Sequence, residues 1–334
     1  MTPFRGRLTP LTSMLRIAGI GGDPTGRMRA FMFVAAAMSV VLVAGLGVAG
    51  DPDSVQARQY SAYADREKPV ISFLLSSPEN VEDFQREFSL TDDEMEEVLA
   101  AVRYENGVLA ETFTKSEKLV RANRGIPRDQ VKQKIAASSY DESVRAAVAQ
   151  TKVEIKHILP PGSQPGLRRW VDAQWLQERN TFDEQSSTYL ATSSVDNTGM
   201  TFRVFATQYI GNTRREVAMP HRKLKFDGGY SVRIRRSGSS TKVWARVKEV
   251  GPWNTYDNWY ALRKYRTMWE DLPRGLPEAQ AAFQDNYNRG KDEYGREVLN
   301  PAGIDITPLV AREAGLDRYE NAWVYVYVPW ATRA

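Results

Sequence analysis

Residues 230–247 read YSVRIRRSGSSTKVWARV. Two runs, Tyr230–Arg235 and Lys242–Val247, alternate apolar with polar side chains and are rich in β-branched and aromatic residues, the texture of half-buried strands. Ser237-Gly238-Ser239-Ser240 stands between them as a turn. The same texture recurs at Phe202–Tyr209 and Ala322–Val328, and Asp227-Gly228-Gly229 supplies a further turn. This pattern predicts a small β-barrel over about residues 201–330. A helical insertion is expected at about 260–298, where Pro277-Glu278-Ala279-Gln280-Ala281-Ala282-Phe283 places Pro near the first turn of a helix.

Upstream the period changes to that of helices. Ser89-Leu90-Thr91-Asp92-Asp93-Glu94 offers hydroxyls and carboxylates to bare N–H groups, and Met95, Val98, Leu99, Val102, Leu109 and Phe113 follow at mostly helical spacing. The helix is expected to run to about Val120, where Asn123-Arg124-Gly125-Ile126-Pro127 breaks it. Further helices are predicted at about 128–136 and 141–158, making an antiparallel helical module over 81–159. Pro160-Pro161-Gly162 and Pro165-Gly166 mark a linker over 160–200 that carries one short helix near 167–185. Residues 51–80 read as a polar juxtamembrane spacer ending in a short apolar run.

The N-terminus points to a membrane. Residues 30–50 read AFMFVAAAMSVVLVAGLGVAG without a charge, and about 20 apolar residues suffice to span the hydrocarbon core. Residues 1–29 carry five Arg against one Asp, so the whole net charge of +4 lies in this tail. Arg27 and Arg29 precede the run and Asp51 and Asp53 follow it, which places the N-terminus in the cytoplasm and residues 51–334 outside. The run serves either as an uncleaved anchor or as a secretory signal, for which Gly47, Val48, Ala49 and Gly50 offer a small-residue cleavage site.

Composition narrows the chemistry. The 334 residues hold no Cys and two His, His157 and His221, which excludes disulfide frameworks and thiolate metal sites and leaves a His-rich metal centre unsupported. No P-loop, GxGxxG ahead of a helix, HExxH or GxSxG is found. No cofactor or metal is expected. Two charge runs stand out: nine acids against one Arg over 79–97, and eleven Lys/Arg against two acids over 214–248. The first reads as a solvated helical face. The second suits an anionic target outside the cell; the export signal opposes nucleic acid.

Four segments in one order carry a resemblance. They are Phe205-Ala206-Thr207-Gln208-Tyr209, Ala218-Met219-Pro220-His221-Arg222-Lys223-Leu224, Arg246-Val247-Lys248-Glu249-Val250-Gly251-Pro252-Trp253, and Gly303-Ile304-Asp305-Ile306-Thr307 followed by Ala311, Ala314, Gly315 and Leu316. Over about 201–328 the chain resembles the RlpA-like septal lytic transglycosylases, which are related in fold to expansins and family 45 endoglucanases. The resemblance implies a six-stranded double-psi β-barrel, so the fold class expected is α+β: a transmembrane helix, a helical module and this barrel. The family's Asp before Gly-Pro is Glu249 here, and the module at 81–158 lies outside the likeness.

The resemblance also implies chemistry. A glycosidic bond needs a proton on its leaving oxygen and stabilisation of an oxocarbenium-like transition state. Glu249 beside Gly251-Pro252-Trp253 is the expected acid/base, with Asp305 and His221 in support. In this family the muramic C6 hydroxyl attacks intramolecularly, giving a 1,6-anhydro product. Plainer roles compete: Asp305 as a turn residue before Thr307-Pro308, His221 bonded to loop backbone, Glu249 as a solvated surface carboxylate. Trp253, Tyr256 and Trp259, interleaved with Asn254 and Asp257, predict a glycan groove, with Tyr209 at its side; flat rings cover the C–H faces of sugars while amides and carboxylates take the hydroxyls.

The expected function is therefore a membrane-anchored, extracytoplasmic protein that binds and cleaves peptidoglycan or another wall glycan. The alternatives are a non-catalytic, expansin-like wall-binding module, or a membrane-anchored interaction protein whose helical module meets a protein partner.

Overall fold

The computed structural model describes residues 67–192, 199–211, 213–220, 229–317 and 320–331, with the backbone alone for 179–192. The apolar run 30–50, the basic tail, His221 and most of the expected spacer lie outside the described residues. Among the described residues no helix is long and apolar enough to cross a membrane.

Six strands close a barrel: β1 (Met200–Gln208), β2 (Glu216–Ala218), β3 (Ser231–Arg236), β4 (Val243–Glu249), β5 (Ala302–Ile306) and β6 (Ala322–Val328). Around the barrel the order is β1-β5-β2-β4-β3-β6, with β6 returning to β1. The pairs β1/β5 and β2/β4 are parallel and the other four antiparallel. Alternation fills the interior: Val204 and Ala206, Val217, Val232 and Ile234, Val243 to Val247, Ile304 and Ile306, and Val324 to Val328 point inward at every second position. Val310 and Ala311, from the short helix α8 (Pro308–Glu313), join the same core.

The helical layer contains α1 (Val70–Leu74), α2 (Pro78–Glu87), α3 (Asp92–Ala122), α4 (Arg128–Ala136), α5 (Tyr140–Ile158) and α6 (Gln164–Thr192). The acidic start of α3 is a capping box. Thr91 Oγ1 accepts from the Glu94 N–H at 3.3 Å, and the Glu94 carboxylate accepts from the Thr91 N–H at 2.8 Å. Two N–H groups that the first turn leaves bare are satisfied this way. Asp83 accepts from Trp170 Nε1 at 2.9 Å and from Gln174 at 2.8 Å. Part of the acidic run 79–97 thus holds helices rather than solvating a face.

Three expectations about organisation change. The end of the expected spacer is structural: α1 is a helix whose Val70, Ile71 and Leu74 are buried. The expected linker with a short helix is instead the 29-residue α6, with Pro165 in its first turn, where a missing N–H leaves no helical bond unmade. The insertion at 260–298 is helical only over α7 (Glu278–Asp285) and two single turns.

The helices also do not keep a core of their own. Phe73 packs against Trp175 of α6 at 5.6 Å, Phe205 of β1 at 5.1 Å and Phe283 of α7 at 5.3 Å between ring centres. One apolar cluster therefore joins the helical layer, the insertion and the outside of the barrel. Lys68 is buried beside it, donating to the Ala282 carbonyl at 2.7 Å and pairing with Glu297 at 3.4 Å.

Candidate functional site

Register brings the carboxylates together. Thr207 on β1 lies opposite Asp305 on β5, Asp305 lies opposite Ala218 on β2, and Ala218 lies opposite Glu249 on β4. Their neighbours Ala206, Val217, Ile304 and Ile306 fill the barrel core, so Thr207, Ala218 and Asp305 face outward, and Glu249, two residues past the inward Val247, joins them through an irregularity. The register shifts between Val217 and Ala218, and that irregularity sets Glu249, not Lys248, opposite Ala218. A bulge re-aims a side chain in this way, and bulges concentrate beside active sites. The small Ala218 separates the two acids, whose backbones stand two strand spacings, roughly 10 Å, apart.

Asp305 is the unusual group in the row. It keeps only part of its surface accessible, and burial pushes its carboxyl up to about 7, against the hydrogen bond from Thr207, with the Glu117 carboxylate of α3 adding to the rise. The Thr207 hydroxyl donates to Asp305 Oδ1 and fixes the carboxyl's orientation. Tyr209, two residues on, is half-buried and donates to Glu216 Oε1 at 3.0 Å. Burial and the carboxylates of Glu216, Asp305 and Glu249 hold its phenol far above the usual range, so it stays a hydrogen-bond donor at any physiological pH. Glu216 itself is fully buried and also accepts from the Thr213 N–H at 2.7 Å and hydroxyl at 2.6 Å. Gly211 leaves room for this carboxylate, since a Cβ there would overlap it unless the Glu216 side chain moved.

The expected glycan groove of Trp253, Asn254, Tyr256, Asp257 and Trp259 does not form. Trp253 is 4% exposed, stands edge-on to Phe113 of α3, and donates to Asn300 Oδ1 at 3.1 Å. Trp259 is fully buried against Phe202 and donates to the Gly303 carbonyl at 3.2 Å. Asn254 bridges Glu278 Oε2 at 2.7 Å and the Glu293 N–H at 3.0 Å. Asp257 accepts from Arg266 Nε at 2.8 Å and the Glu278 N–H at 2.7 Å. Only Tyr256 stays exposed. The physical reason is the irregular backbone of the insertion. Without a helix or sheet to pair its N–H and C=O groups, it relies on buried amides, carboxylates and guanidiniums, and the rings supply its apolar filling.

This placement has a measurable consequence. Trp259→Ala is expected to lose about 3–5 kcal/mol of stability in a denaturant titration, the range for truncating a buried aromatic. A loss under about 1 kcal/mol would mean that the ring is not core.

Glu249 and Asp305 are thus brought to one row with Tyr209 beside them, while Trp253, Asn254, Asp257 and Trp259 are internal. Thr207 and Glu216 join the site without having been expected. Thr207 sits inside the Phe205–Tyr209 segment and was open to notice; Glu216 starts a three-residue strand too short to show a period. Among the described residues no group of His, Asp and Glu is arranged to hold a metal ion.

The family described as a domain of unknown function, DUF8814, matches residues 198–327, the extent of the barrel with its insertion. No curated protein and no solved structure matches the chain.

Proposed function

We propose that the chain acts outside the cytoplasm on the glycan strands of a peptidoglycan-type wall, as an RlpA-like lytic transglycosylase, with Asp305 as the proton donor. The observation that carries this reading is the outward row Thr207–Asp305–Ala218–Glu249, in which one carboxyl is held near pH 7 by its surroundings. A general acid works best when its pKa lies near the working pH, because it is then both protonated and willing to give its proton. The order of the four sequence segments and the closed barrel with two parallel pairs support the family assignment.

The chemistry balances on one carboxyl. Asp305 gives its proton to the leaving glycosidic oxygen as the C1–O bond breaks. The C6 hydroxyl of the same sugar then closes on C1, and its proton returns to the Asp305 carboxylate. Glu249, across Ala218, places negative charge where the oxocarbenium character develops. Relative to the sequence expectation, the two acids exchange parts: Asp305 takes the lead and Glu249 supports.

The test is incubation of the full chain with purified peptidoglycan, followed by mass spectrometry of the soluble products. Release of 1,6-anhydro muropeptides is the expected result. Muropeptides with ordinary reducing ends would indicate hydrolysis by water and overturn the transglycosylase assignment. No release, with co-sedimentation on the wall, would favour the second reading, a non-catalytic wall-binding module. That reading has its own support on the barrel's outer face, where Arg233 stacks on Tyr327 at 4.6 Å and Arg235 on Tyr325 at 4.4 Å, next to the exposed Trp244. Such a ladder of rings and guanidiniums suits an acidic glycan.

A further inference from the structure

A recess lies at the seam where α1 and α2 meet the barrel, apart from the carboxylate row. It is about 250 Å³ in volume and is lined by Phe73, Phe205 and Trp323 together with five charged side chains. Ligand pockets gather at such junctions between layers, and volumes of roughly 300–1,000 Å³ are usual, so this one suits a small ligand or the end of a larger one. Arg203 and Thr207 share the outward side of β1 four residues apart, so Arg203 stands roughly 13 Å along the strand from the residue paired with Asp305.

The charges in the recess are the informative part. Arg203 is 7% exposed, and its guanidinium lies over the Trp323 ring at 4.3 Å. Among the described residues its Nε and Nη1 have no hydrogen-bond partner. The Glu178 carboxylate acts on it at a distance while accepting from Trp323 Nε1 at 2.8 Å. A guanidinium buried this deeply with two idle nitrogens is costly unless an acceptor reaches them. Arg236 pairs with Glu320 at 2.7 Å and also attracts Glu79, at the start of α2, whose carboxylate accepts from Ser77 Oγ at 2.6 Å; Glu79 and Glu178 are the other acids of the recess, each with oxygen lone pairs to spare. A simple anion would satisfy Arg203 but meet two carboxylates. A simple cation would satisfy the carboxylates but meet Arg203. A ligand with a carboxylate and an ammonium group a few bonds apart complements both.

We propose that this recess binds a small zwitterion, a free α-amino acid or a very short peptide, with its carboxylate on Arg203 and its ammonium group toward Glu79 and Glu178. Phe73, Phe205 and Trp323 leave an apolar wall for a short side chain. The site does not depend on glycan cleavage, and the two readings fail separately.

Calorimetric titration of the purified full chain with alanine, Ala-Ala, propionate and ethylamine tests it. Alanine or Ala-Ala is expected to bind one to one, with propionate and ethylamine at least about tenfold weaker, a difference of about 1.4 kcal/mol. Arg203→Gln is expected to lose about tenfold or more of the affinity, and Glu79→Gln, at the rim, to weaken binding several-fold with an unchanged far-UV circular dichroism spectrum. Should Arg203→Gln not fold, Glu79→Gln decides alone. Propionate binding as tightly as alanine would overturn the proposal in favour of a plain anion site. Binding unchanged in the variants, or no heat from any probe in the millimolar range with folded protein, would overturn it altogether.

Discussion

Asp305→Asn is expected to abolish release of 1,6-anhydro muropeptides while making the protein more stable above neutral pH. The two effects share one cause. Asp305 titrates at about 7 in the folded chain, against an ordinary value of 3.8. The folded state therefore holds its proton more tightly than the unfolded chain does. Stability derived from the protonated carboxyl is complete below about pH 3.8 and is lost as pH rises to about 7, because charging the enclosed group costs more than charging it in water. The gap of about three pH units, at about 1.4 kcal/mol each, bounds the loss at about 4 kcal/mol. Asn keeps the shape, can still accept from Thr207, and never charges. Denaturant titrations at pH 5 and pH 8 should show the wild type weakening between them and the variant holding steady. Activity gives the complementary reading. The proton donor is present below about pH 7 and vanishes above it, so kcat should fall on the alkaline side with an apparent pKa near 7. An active Asp305→Asn protein, or a pH profile flat from 6 to 9, would remove Asp305 as the acid. A variant that is inactive but no more stable at pH 8 would mean that burial does not raise this carboxyl.

Arg296→Met is expected to cost about 3–5 kcal/mol and to loosen the helical layer from the insertion. Arg296 is 1% exposed and binds in four directions. Its Nε donates to Asp292 Oδ2 at 2.6 Å, Nη2 donates to the Trp253 carbonyl at 3.1 Å, and Nη1 donates to Glu117 of α3 and to Ser116 Oγ at 3.5 Å. Its guanidinium also faces the Phe113 ring at 4.9 Å. Burial alone would lower its pKa, but Asp292 and Glu117 outweigh that and keep it charged. Removing one partner of a buried pair strands the other, and Asp292 is fully buried. Met fills much of the volume, so the loss measured by urea titration belongs to the charge and its hydrogen bonds. Arg296→Lys keeps the charge but not the planar fork, and is expected to recover less than half of the loss. Limited proteolysis should cut Arg296→Met between α3 and α4 faster than the wild type. A loss under about 1 kcal/mol would show that the network does not hold the layer in place.

What was legible in the sequence is what depends on neighbours a few residues away. The capping box at Thr91 and Glu94, the break at Asn123–Pro127, helix α4 and strand β6 all follow from local hydrogen bonds and from side-chain periods of 3.6 or 2. Strands β1, β3 and β4 show the same alternation because each has one face in the barrel core. Strand β2 has three residues, all buried, and offers no period to read. Yet it decides the site, since Ala218 is the residue that both acids face.

The aromatic stretch 253–260 shows the limit from the other side. Trp and Asn in alternation look the same in a sugar groove as in an irregular, buried insertion. Local sequence specifies which residue types meet, but not which side of them water occupies. Amino-acid order by itself determined helices α3, α4 and α5, four of the six strands and the residue types at Thr207, Glu249 and Asp305. Only the tertiary structure decided that those residues share a row, through the closed barrel, that one carboxyl there holds its proton, and that the tryptophans turn inward, through the packing of the insertion and of α3. Each of these depends on register and burial between segments far apart in the chain, and no local period encodes that.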